Sequence, residues 1–451
     1  MLPLALILRG HGAEIAGSDR SRDQGRVIEK FAWLEAQGIR LFAQDGSGIT
    51  RADQTLVASA AVESTVPEVV RAGQIGCARM SRAELLATLF NASGCAIAVG
   101  GTSGKSTVTG MLGWIMVQVK RDPTIMNGAV MKNFVAEDAP FASARVGAGD
   151  VFVSEVDESD GSIALYRPAI AVLNNVSLDH KSLEELRALF GGFLAASGRA
   201  ALNLDDAETA ALLPFAHDPI TFAITRRDAT LHVAPGTIED AANAISAAVV
   251  DTRDGSHHKL TLRVPGRHNL ANALAALAGA ALADVPIAAA VAAMGSFAGL
   301  ARRFDILGSS ASGITVIDDF GHNPEKVAAT LDTLRQHPGR IIAFFQPHGF
   351  GPLRQMGAEL AKVLATRLGD DDVTLLCDPV YFGGTIDRSV SSEHVVAMIE
   401  AAGGHAEHIA DRAACAVRII ALARPGDRVV VMGARDDTLT AFAQSILARL
   451  T

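Results

Sequence analysis

Short apolar segments alternate with helix-forming segments along most of the 451 residues, and this alternation constrains the fold more than any other feature. It is most regular after Arg303, where ITVID, RIIAFF, VTLLC and RVVVM are each followed by a segment that predicts a helix. Strands that alternate with helices are typical of parallel sheets covered on both faces. We therefore predict an α/β protein whose C-terminal part is a doubly wound domain.

The length of the chain favours more than one domain, because a single hydrophobic core rarely organises more than about 300 residues. We predict an N-terminal domain over residues 1–92, a central nucleotide-binding domain over 93–302 and a C-terminal domain over 303–451. A Rossmann-like domain opens with a strand and a glycine-rich turn. Here MLPLALILRG at the start predicts a helix instead.

Charge and composition argue against two classes of partner. The formal net charge of −9 and the lack of a basic cluster argue against nucleic acid. No apolar run is long enough to span a bilayer, which argues against a membrane protein. The four cysteines lack the spacing of a metal or redox site, so we expect a reduced, cytoplasmic protein. The sequence leaves open whether it is a monomer or a homodimer.

The sharpest motif is AVGGTSGKSTVTGM, in which an apolar strand runs into a glycine loop and then a helix. Glycines let the backbone approach a polyanion, and N–H groups at a helix N-terminus favour phosphate. Lys105 would reach the terminal phosphates, and Ser106 or Thr107 would hold Mg²⁺. Because Val99 stands where the usual motif has its first glycine, a turn without ligand is the alternative. The other predicted nucleotide contacts are Gly101, Thr102, Ser103 and Gly104.

Acidic residues follow a second apolar strand, VFVSEV. A buried strand that leads into several carboxylates is costly unless a cation binds there. Residues two apart in a strand share a face, so Glu155 and Asp157 should point the same way. The pattern favours a cation site, with a solvated acidic loop as the alternative. The carboxylates are those of Glu155, Asp157, Glu158 and Asp160.

A third apolar strand, IAVLNNV, also ends in polar residues. Ligands of open α/β sheets bind at the carboxyl ends of the strands, so these side chains should face the same ligand. A histidine standing alone is more often structural than a ligand, so the residues alone leave the role of His180 open. The polar residues are Asn174, Asn175, Asp179 and His180.

The glycine loop GGTSGKST resembles the GT-x-GK-[ST]-T loop of the Mur ligase family. The resemblance continues in order through VSEVDESDGS, LNNVSLDH, GRHNLAN and DDFGHNP, and covers nearly the whole chain. It implies a three-domain Mur ligase fold, with Rossmann-like terminal domains around a central P-loop ATPase-type domain. It also implies an enzyme that uses ATP and Mg²⁺ to join a UDP-sugar carboxylate to an amino acid or peptide, by way of an acyl phosphate, in peptidoglycan biosynthesis.

The resemblance assigns roles to individual residues. Glu155 would bind the Mg²⁺ ion that bridges ATP and the acyl phosphate, and His180 would lie beside a second ion. Asn269 would contact adenine, although Asn is also a common helix cap. Arg303 and Asp319 would contact the nucleotide from the C-terminal domain. The implied substrate residues are Ser59 on the uridine side, and His322 and His348 in the C-terminal domain.

Several segments depart from the family pattern. The stretch SLEELRALFGGFL lacks the lysine that most members carry, a feature shared with the branch that adds L-alanine to UDP-N-acetylmuramate. The N-terminal glycine loop that holds the uridine diphosphate does not appear before MLPLALILRG, so the gene start is late or that binding is impaired. Gly349 replaces an arginine, and residues 381–385 differ from the alanine-adding branch, so the amine stays open.

Arg354 or Arg435 could replace the missing arginine, and Arg435 is predicted to bind the carboxylate of the incoming amino acid or peptide. A surface arginine paired with Asp436 or Asp437 is the alternative. Two other functions also stay open. One is a peptide-recycling ligase that attaches a ready-made tripeptide to UDP-N-acetylmuramate, and the other is a P-loop ATP-binding protein that no longer ligates.

Overall fold

The structure is a computed structural model that describes residues 1–59, 62–178, 181–380, 389–434 and 436–450. The chain folds into two compact units, one formed by residues 1–240 and 244–300, the other by 241–243 and 301–451. Within the described ranges, no helix is both long and apolar enough to cross a membrane. The predicted α/β class is confirmed in both units.

The first 92 residues form two parallel strand pairs, β1 with β2 and β3 with β4, and five helices. Helix α5 begins at a capping box in which Ser81 and Glu84 exchange side-chain and backbone hydrogen bonds. Leu4 and Ile7 of α1 are buried in a core that also contains Phe90. The elements are α1 Leu2–Gly10, β1 Ala16–Ser18, α2 Arg20–Asp23, α3 Ile28–Ala36, β2 Arg40–Phe42, β3 Thr55–Ala58, α4 Pro67–Ile75, β4 Ala78–Ser81 and α5 Arg82–Asn91.

The following residues build one large sheet with β5 near its centre, in the order β13-β14-β12-β11-β10-β9-β5-β8-β6-β7, with β15 on β14. The strands are β5 Cys95–Gly100, β6 Thr124–Met126, β7 Ala144–Arg145, β8 Val151–Glu155, β9 Ile170–Leu173, β10 Arg199–Asn203, β11 Ile220–Ala223, β12 Leu231–Val233, β13 Glu239–Ala241, β14 Ala244–Asp251 and β15 Ser256–Leu262. The helices are α6 Lys105–Gln118, α7 Leu183–Ala195, α8 Ala207–Ala211, α9 Arg267–Leu282 and α10 Ile287–Met294.

Alternate residues of β5 face two separate cores. Ile97 and Val99 pack with α6, α9 and α10 on one side. Ala96 and Ala98 pack with α5 and α7 on the other side. Because β5, β8 and β9 run parallel, their carboxyl ends meet at one edge, where all three segments singled out in the sequence lie.

The second unit is a doubly wound sheet in the order β16-β17-β21-β18-β19-β20, parallel except for the β16–β17 pair. Separate cores cover its two faces, which confirms the predicted alternation. The strands are β16 Asp305–Ser309, β17 Thr315–Asp319, β18 Ile341–Gln346, β19 Val373–Leu376, β20 Ala406–His408 and β21 Arg428–Gly433. The helices are α11 Pro324–Arg335, α12 Phe350–Arg367, α13 Ser392–Ala401, α14 Arg412–Leu422 and α15 Leu439–Arg449.

Candidate functional site

The glycine loop lies between β5 and α6, at the carboxyl edge of the central sheet. Gly101 and Gly104 have φ angles of 133° and 83°, in the region that side chains disfavour. A Cβ on Gly104 would also overlap the side chains of Asn272 and Asn174. The close approach of these asparagines therefore requires glycine at the position that caps α6.

Two asparagines after β9 hold the loop. The Asn175 carbonyl accepts a hydrogen bond from Thr102 N at 3.1 Å, and its side-chain Oδ1 accepts one from Ser103 N at 2.8 Å. The Asn175 and Asn174 side-chain amides both donate to Ser103 O, at 3.0 and 3.2 Å. The backbone N–H groups of Thr102 and Ser103 are thus used within the loop.

The first turn of α6 provides the N–H groups best suited to an anion. In the described part of the chain, no side chain caps this helix. The first turn of a helix leaves N–H groups without an intrahelical acceptor, and the helix dipole attracts negative charge there. Gly104, Lys105, Ser106 and Thr107 are therefore the main candidates for backbone contacts with phosphate.

Two successive residues of this turn are each bonded to a carboxylate. Lys105 Nζ donates to Glu158 Oε2 and to the Gly101 carbonyl, both at 2.7 Å. Ser106 Oγ donates to Glu155 Oε2, also at 2.7 Å. The Lys105 side chain in this ion pair is only 20% exposed. The predicted grouping of Glu155 with Ser106 is present in the structure.

The oxygens of Ser106 and Glu155 suit a magnesium ion. Hydroxyl and carboxylate oxygens are the ligands that Mg²⁺ prefers, and Mg²⁺ usually completes its shell with water and phosphate. Among the described residues, no group of three or more His, Cys, Asp or Glu side chains could hold a metal by itself. A site built from Ser106 and Glu155 would therefore depend on the nucleotide for further ligands.

The segment after β6 supports both sides of this pair. Asn127 Nδ2 donates to the Ser106 carbonyl at 2.9 Å, and Asn127 is fully buried. Gly128 lies directly against the Glu155 carboxylate, so that a Cβ at this position would overlap Glu155 Oε1. Neither residue could be identified from the sequence, because both belong to a loop without a recognisable motif.

We expect Gly128→Ala to raise the Mg²⁺ concentration that gives half-maximal activity by about tenfold or more, since the new methyl group displaces Glu155. The measurement is activity titrated against Mg²⁺. The matched control is Gly192→Ala on α7, where a Cβ meets nothing within 4 Å. An unchanged Mg²⁺ requirement for Gly128→Ala would show that the position of Glu155 does not matter for metal binding.

Asn269 and Asn272 lie in the first part of α9. Gly266 rather than Asn269 is the N-cap residue, so the capping alternative for Asn269 is not what the structure shows. Asn269 Nδ2 instead donates to the Pro265 carbonyl at 2.7 Å. Asn272 Oδ1 accepts from Asn174 Nδ2 at 2.9 Å and so connects α9 to the segment after β9 that holds the glycine loop.

The second unit contains the predicted residues Arg303 and Asp319. The Asp319 carboxylate accepts hydrogen bonds from Phe304 N at 2.7 Å, Gly321 N at 2.8 Å and Thr330 Oγ1 at 2.9 Å. These three hydrogen bonds connect Asp319 to the residue before β16, to the turn after β17 and to helix α11. The Arg303 guanidinium lies 4.8 Å from the centre of the Phe320 ring, a cation–π contact.

The two predicted histidines of this unit lie together. The His322 and His348 rings are in edge-to-face contact with centroids 5.3 Å apart. Burial lowers the pKa of His322 to about 3, so its ring is neutral at physiological pH. A neutral His322 ring can exchange hydrogen bonds with a substrate, but it supplies no fixed positive charge.

Three predicted positions fall outside the described residues: His180, Arg435 and the loop 381–385. Asp436, which the sequence analysis gives with Asp437 as an alternative partner of Arg435, has two partners within the described residues. It accepts hydrogen bonds from Arg412 Nη1 and Gln346 Nε2, both at 2.8 Å. Ser59 follows β3 and is half-buried, and its carbonyl accepts a hydrogen bond from Val62 N at 3.0 Å.

Three consecutive parts of the chain match known family descriptions. Residues 1–93 match "Mur ligase family, catalytic domain", 99–280 match "Mur ligase middle domain", and 302–435 match "Mur ligase, glutamate ligase domain". These ranges account for most of the sequence.

Curated relatives align over the full length. A UDP-N-acetylmuramate–L-alanine ligase of Sorangium cellulosum is 32% identical over 468 residues, which cover 100% of this chain and 94% of the relative. One from Agrobacterium fabrum is 33% identical over 98% of this chain and 93% of the relative.

Solved structures share the fold. The UDP-N-acetylmuramate–alanine ligase of Thermotoga maritima superposes with a TM-score of 0.81 at 23% identity, covering 100% of this chain and 96% of that one. A murein peptide ligase of Psychrobacter arcticus gives 0.70 at 23% identity, with the same coverage. At this identity the two structures support the architecture and do not discriminate between amine substrates.

Proposed function

The chain belongs to the Mur ligase family and is an ATP-dependent acid–amino-acid ligase, and we propose that it joins the carboxylate of UDP-N-acetylmuramate to the amine of L-alanine. The choice of substrates is supported by the full-length similarity to ligases with that name. The structural observation that carries the proposal is the pairing of Lys105 and Ser106 with Glu158 and Glu155 at the phosphate loop. Because ATP and UDP-activated sugars are cytoplasmic metabolites, we expect a cytoplasmic reaction.

The proposed reaction has two bond-forming steps. A carboxylate oxygen of the sugar attacks the γ-phosphorus of ATP, the bond to the β–γ bridging oxygen breaks, and ADP leaves. The amine nitrogen then attacks the acyl carbon of the resulting acyl phosphate. The tetrahedral intermediate loses inorganic phosphate, and the nitrogen loses a proton, which leaves the amide. Both steps depend mainly on positioning and on charge neutralisation.

The residues of the loop have distinct roles in this scheme. The first-turn N–H groups of α6 hold the phosphates, and Lys105 neutralises charge on the transferred group. Ser106 and Glu155 would hold Mg²⁺, which neutralises phosphate charge when it is bound. Asn174 and Asn175 keep the loop in the conformation that these contacts require.

Asn269, Arg303 and Asp319 are proposed to contact the nucleotide, and Ser59, His322, His348 and Arg435 the other substrates. His180 is proposed as a ligand of a second metal ion. These roles rest on the family resemblance.

One specific departure favours a second candidate, a ligase that attaches a peptide instead of L-alanine. Gly349 is the N-cap residue of α12, at a position where the alanine-adding branch has an arginine. Loss of a forked, charged donor changes how a substrate carboxylate can be held. The fold shared with a murein peptide ligase is compatible with either amine.

The test is phosphate release coupled to mass spectrometry of the product, with UDP-N-acetylmuramate, ATP and a panel of amines. L-Alanine should give the highest kcat/KM, followed by glycine and L-serine. A higher value for the tripeptide L-alanyl-γ-D-glutamyl-meso-diaminopimelate would establish the second candidate. Tight ATP binding without an amide product from any amine would contradict both.

A further inference from the structure

Glu158 contacts the phosphate-loop lysine, although no sequence pattern distinguishes it from the three neighbouring carboxylates. Its Oε2 accepts a hydrogen bond from Lys105 Nζ at 2.7 Å, and its side chain is only 6% exposed. Because the pair is largely shielded from water, the attraction between the two charges is stronger than on the surface. In this state the lysine charge is already neutralised.

The turn after β8 fixes the position of Glu158. Asp157 Oδ1 accepts a hydrogen bond from Ser159 N at 2.9 Å, and the Asp157 carbonyl accepts one from Ile163 N at 3.1 Å. The Glu158 carbonyl accepts one from Gly161 N, also at 3.1 Å. The backbone of the turn is thus held on both sides of Glu158.

A phosphate group at the loop would compete directly with this carboxylate. Lys105 has to turn from Glu158 to reach a phosphate oxygen, and the Glu158 carboxylate then stays buried beside a polyanion. Both effects oppose nucleotide binding, the first by the loss of a shielded ion pair and the second by repulsion between like charges.

We propose that Glu158 is a positioning residue that holds Lys105 in the nucleotide-free enzyme and competes with the phosphates for it, which weakens nucleotide binding and favours release of ADP. The proposal rests on the proposed function, because it requires a nucleotide at this loop. Glu158 acts on the reaction through Lys105.

The test is calorimetric titration of the full-length protein with ADP, with and without Mg²⁺. Glu158→Gln keeps the shape of the side chain and an oxygen acceptor but removes its charge. We expect this substitution to lower the Kd for ADP by about tenfold without Mg²⁺. The shift should be smaller with Mg²⁺, because the cation screens the repulsion. In a Lys105→Met background only the repulsion remains, so the same substitution should lower the Kd by about threefold or less.

Asp160→Asn is the matched control. Asp160 is an exposed carboxylate of the same acidic segment, and its Oδ1 accepts from Ser162 N at 2.9 Å. The Asp160→Asn substitution removes one negative charge, as Glu158→Gln does, but leaves the Lys105–Glu158 ion pair intact. The Kd for ADP should therefore stay within about twofold of wild type. An equal shift for Asp160→Asn and Glu158→Gln would overturn the proposal, since it would show a general charge effect.

Glu158→Asp covers the case in which the glutamine variant does not fold. The shorter side chain keeps the charge but weakens the contact with Lys105, and the Kd for ADP should fall about threefold. An unchanged or raised Kd in the folded variant would overturn the proposal for Glu158. If Lys105→Met alone leaves the ADP affinity unchanged, the nucleotide does not use this loop, and the proposed function fails with it.

Discussion

Replacing Lys105 by methionine should lower kcat by about 10³-fold or more at saturating substrates, because the transferred phosphoryl group loses its main protein cation. Methionine keeps the length and apolar part of the side chain, so the start of α6 should not change. The measurement is steady-state phosphate release that depends on the amine. The matched control is Lys120→Met just beyond the other end of α6, where Lys120 is exposed and the activity should be unchanged.

Loss of the Lys105–Glu158 ion pair should also lower the stability of the protein. Without Lys105, Glu158 remains buried and loses its charged partner, so we expect the free energy of unfolding to fall by about 1–3 kcal/mol. The double variant Lys105→Met with Glu158→Gln should regain most of that stability and none of the activity. A double variant as active as wild type would rule out a catalytic role for Lys105.

Glu155→Gln should produce the second large effect. The substitution keeps an acceptor for Ser106 Oγ but removes the negative charge that attracts a divalent cation. We expect kcat to fall about 10²-fold at low-millimolar Mg²⁺, and the Mg²⁺ concentration for half-maximal activity to rise about tenfold or more. Activity titrated against Mg²⁺ measures both changes.

A control for Glu155 lies at the opposite end of the same strand. Asp150 precedes β8 and forms an exposed ion pair with Arg121, so Asp150→Asn changes the charge far from the loop. The Mg²⁺ requirement of the Asp150→Asn variant should equal that of the wild type. The metal assignment would fail if Glu155→Gln gave the same Mg²⁺ curve as Asp150→Asn.

The phosphate loop and the residues beside it could be predicted from the sequence, because local sequence pattern and parallel-sheet topology indicate the same site. The apolar strand before Gly101, the glycines and the helix after Gly104 specify a phosphate loop almost without tertiary information. Parallel strands bring their carboxyl ends to one edge, so placing Glu155 and Asn175 beside that loop needed only the order of the elements. The regular alternation after Arg303 likewise predicted the doubly wound sheet.

Which charged side chains pair with each other could not be predicted from the sequence, because the pairing depends on tertiary contacts. Three carboxylates follow β8, and the conformation of the turn that begins at Asp157 brings Glu158 to Lys105. The partner of Asp436 illustrates the same limit. Arg412, at the start of α14, donates to Asp436 across 24 residues of sequence. Pairings across long sequence separations depend on how helices pack, which local patterns do not encode.

Two short strands of the second unit, β16 and β20, were also not predicted from the sequence. β16 and β20 carry too few apolar residues to show a clear period, and pairing with neighbouring strands stabilises them. Gly128 and Asn127 were not identified because their roles come from close backbone approach and burial.

Transfer of oxygen from the sugar carboxylate to phosphate tests the central claim most directly. The measurement uses UDP-N-acetylmuramate whose carboxylate oxygens carry a heavy-oxygen label, together with ATP, Mg²⁺ and L-alanine, and follows the label by mass spectrometry. An acyl phosphate requires that each phosphate released carries one labelled oxygen and that each amide formed keeps the other. Unlabelled phosphate, or phosphate released without amide, would contradict ligation through an acyl phosphate.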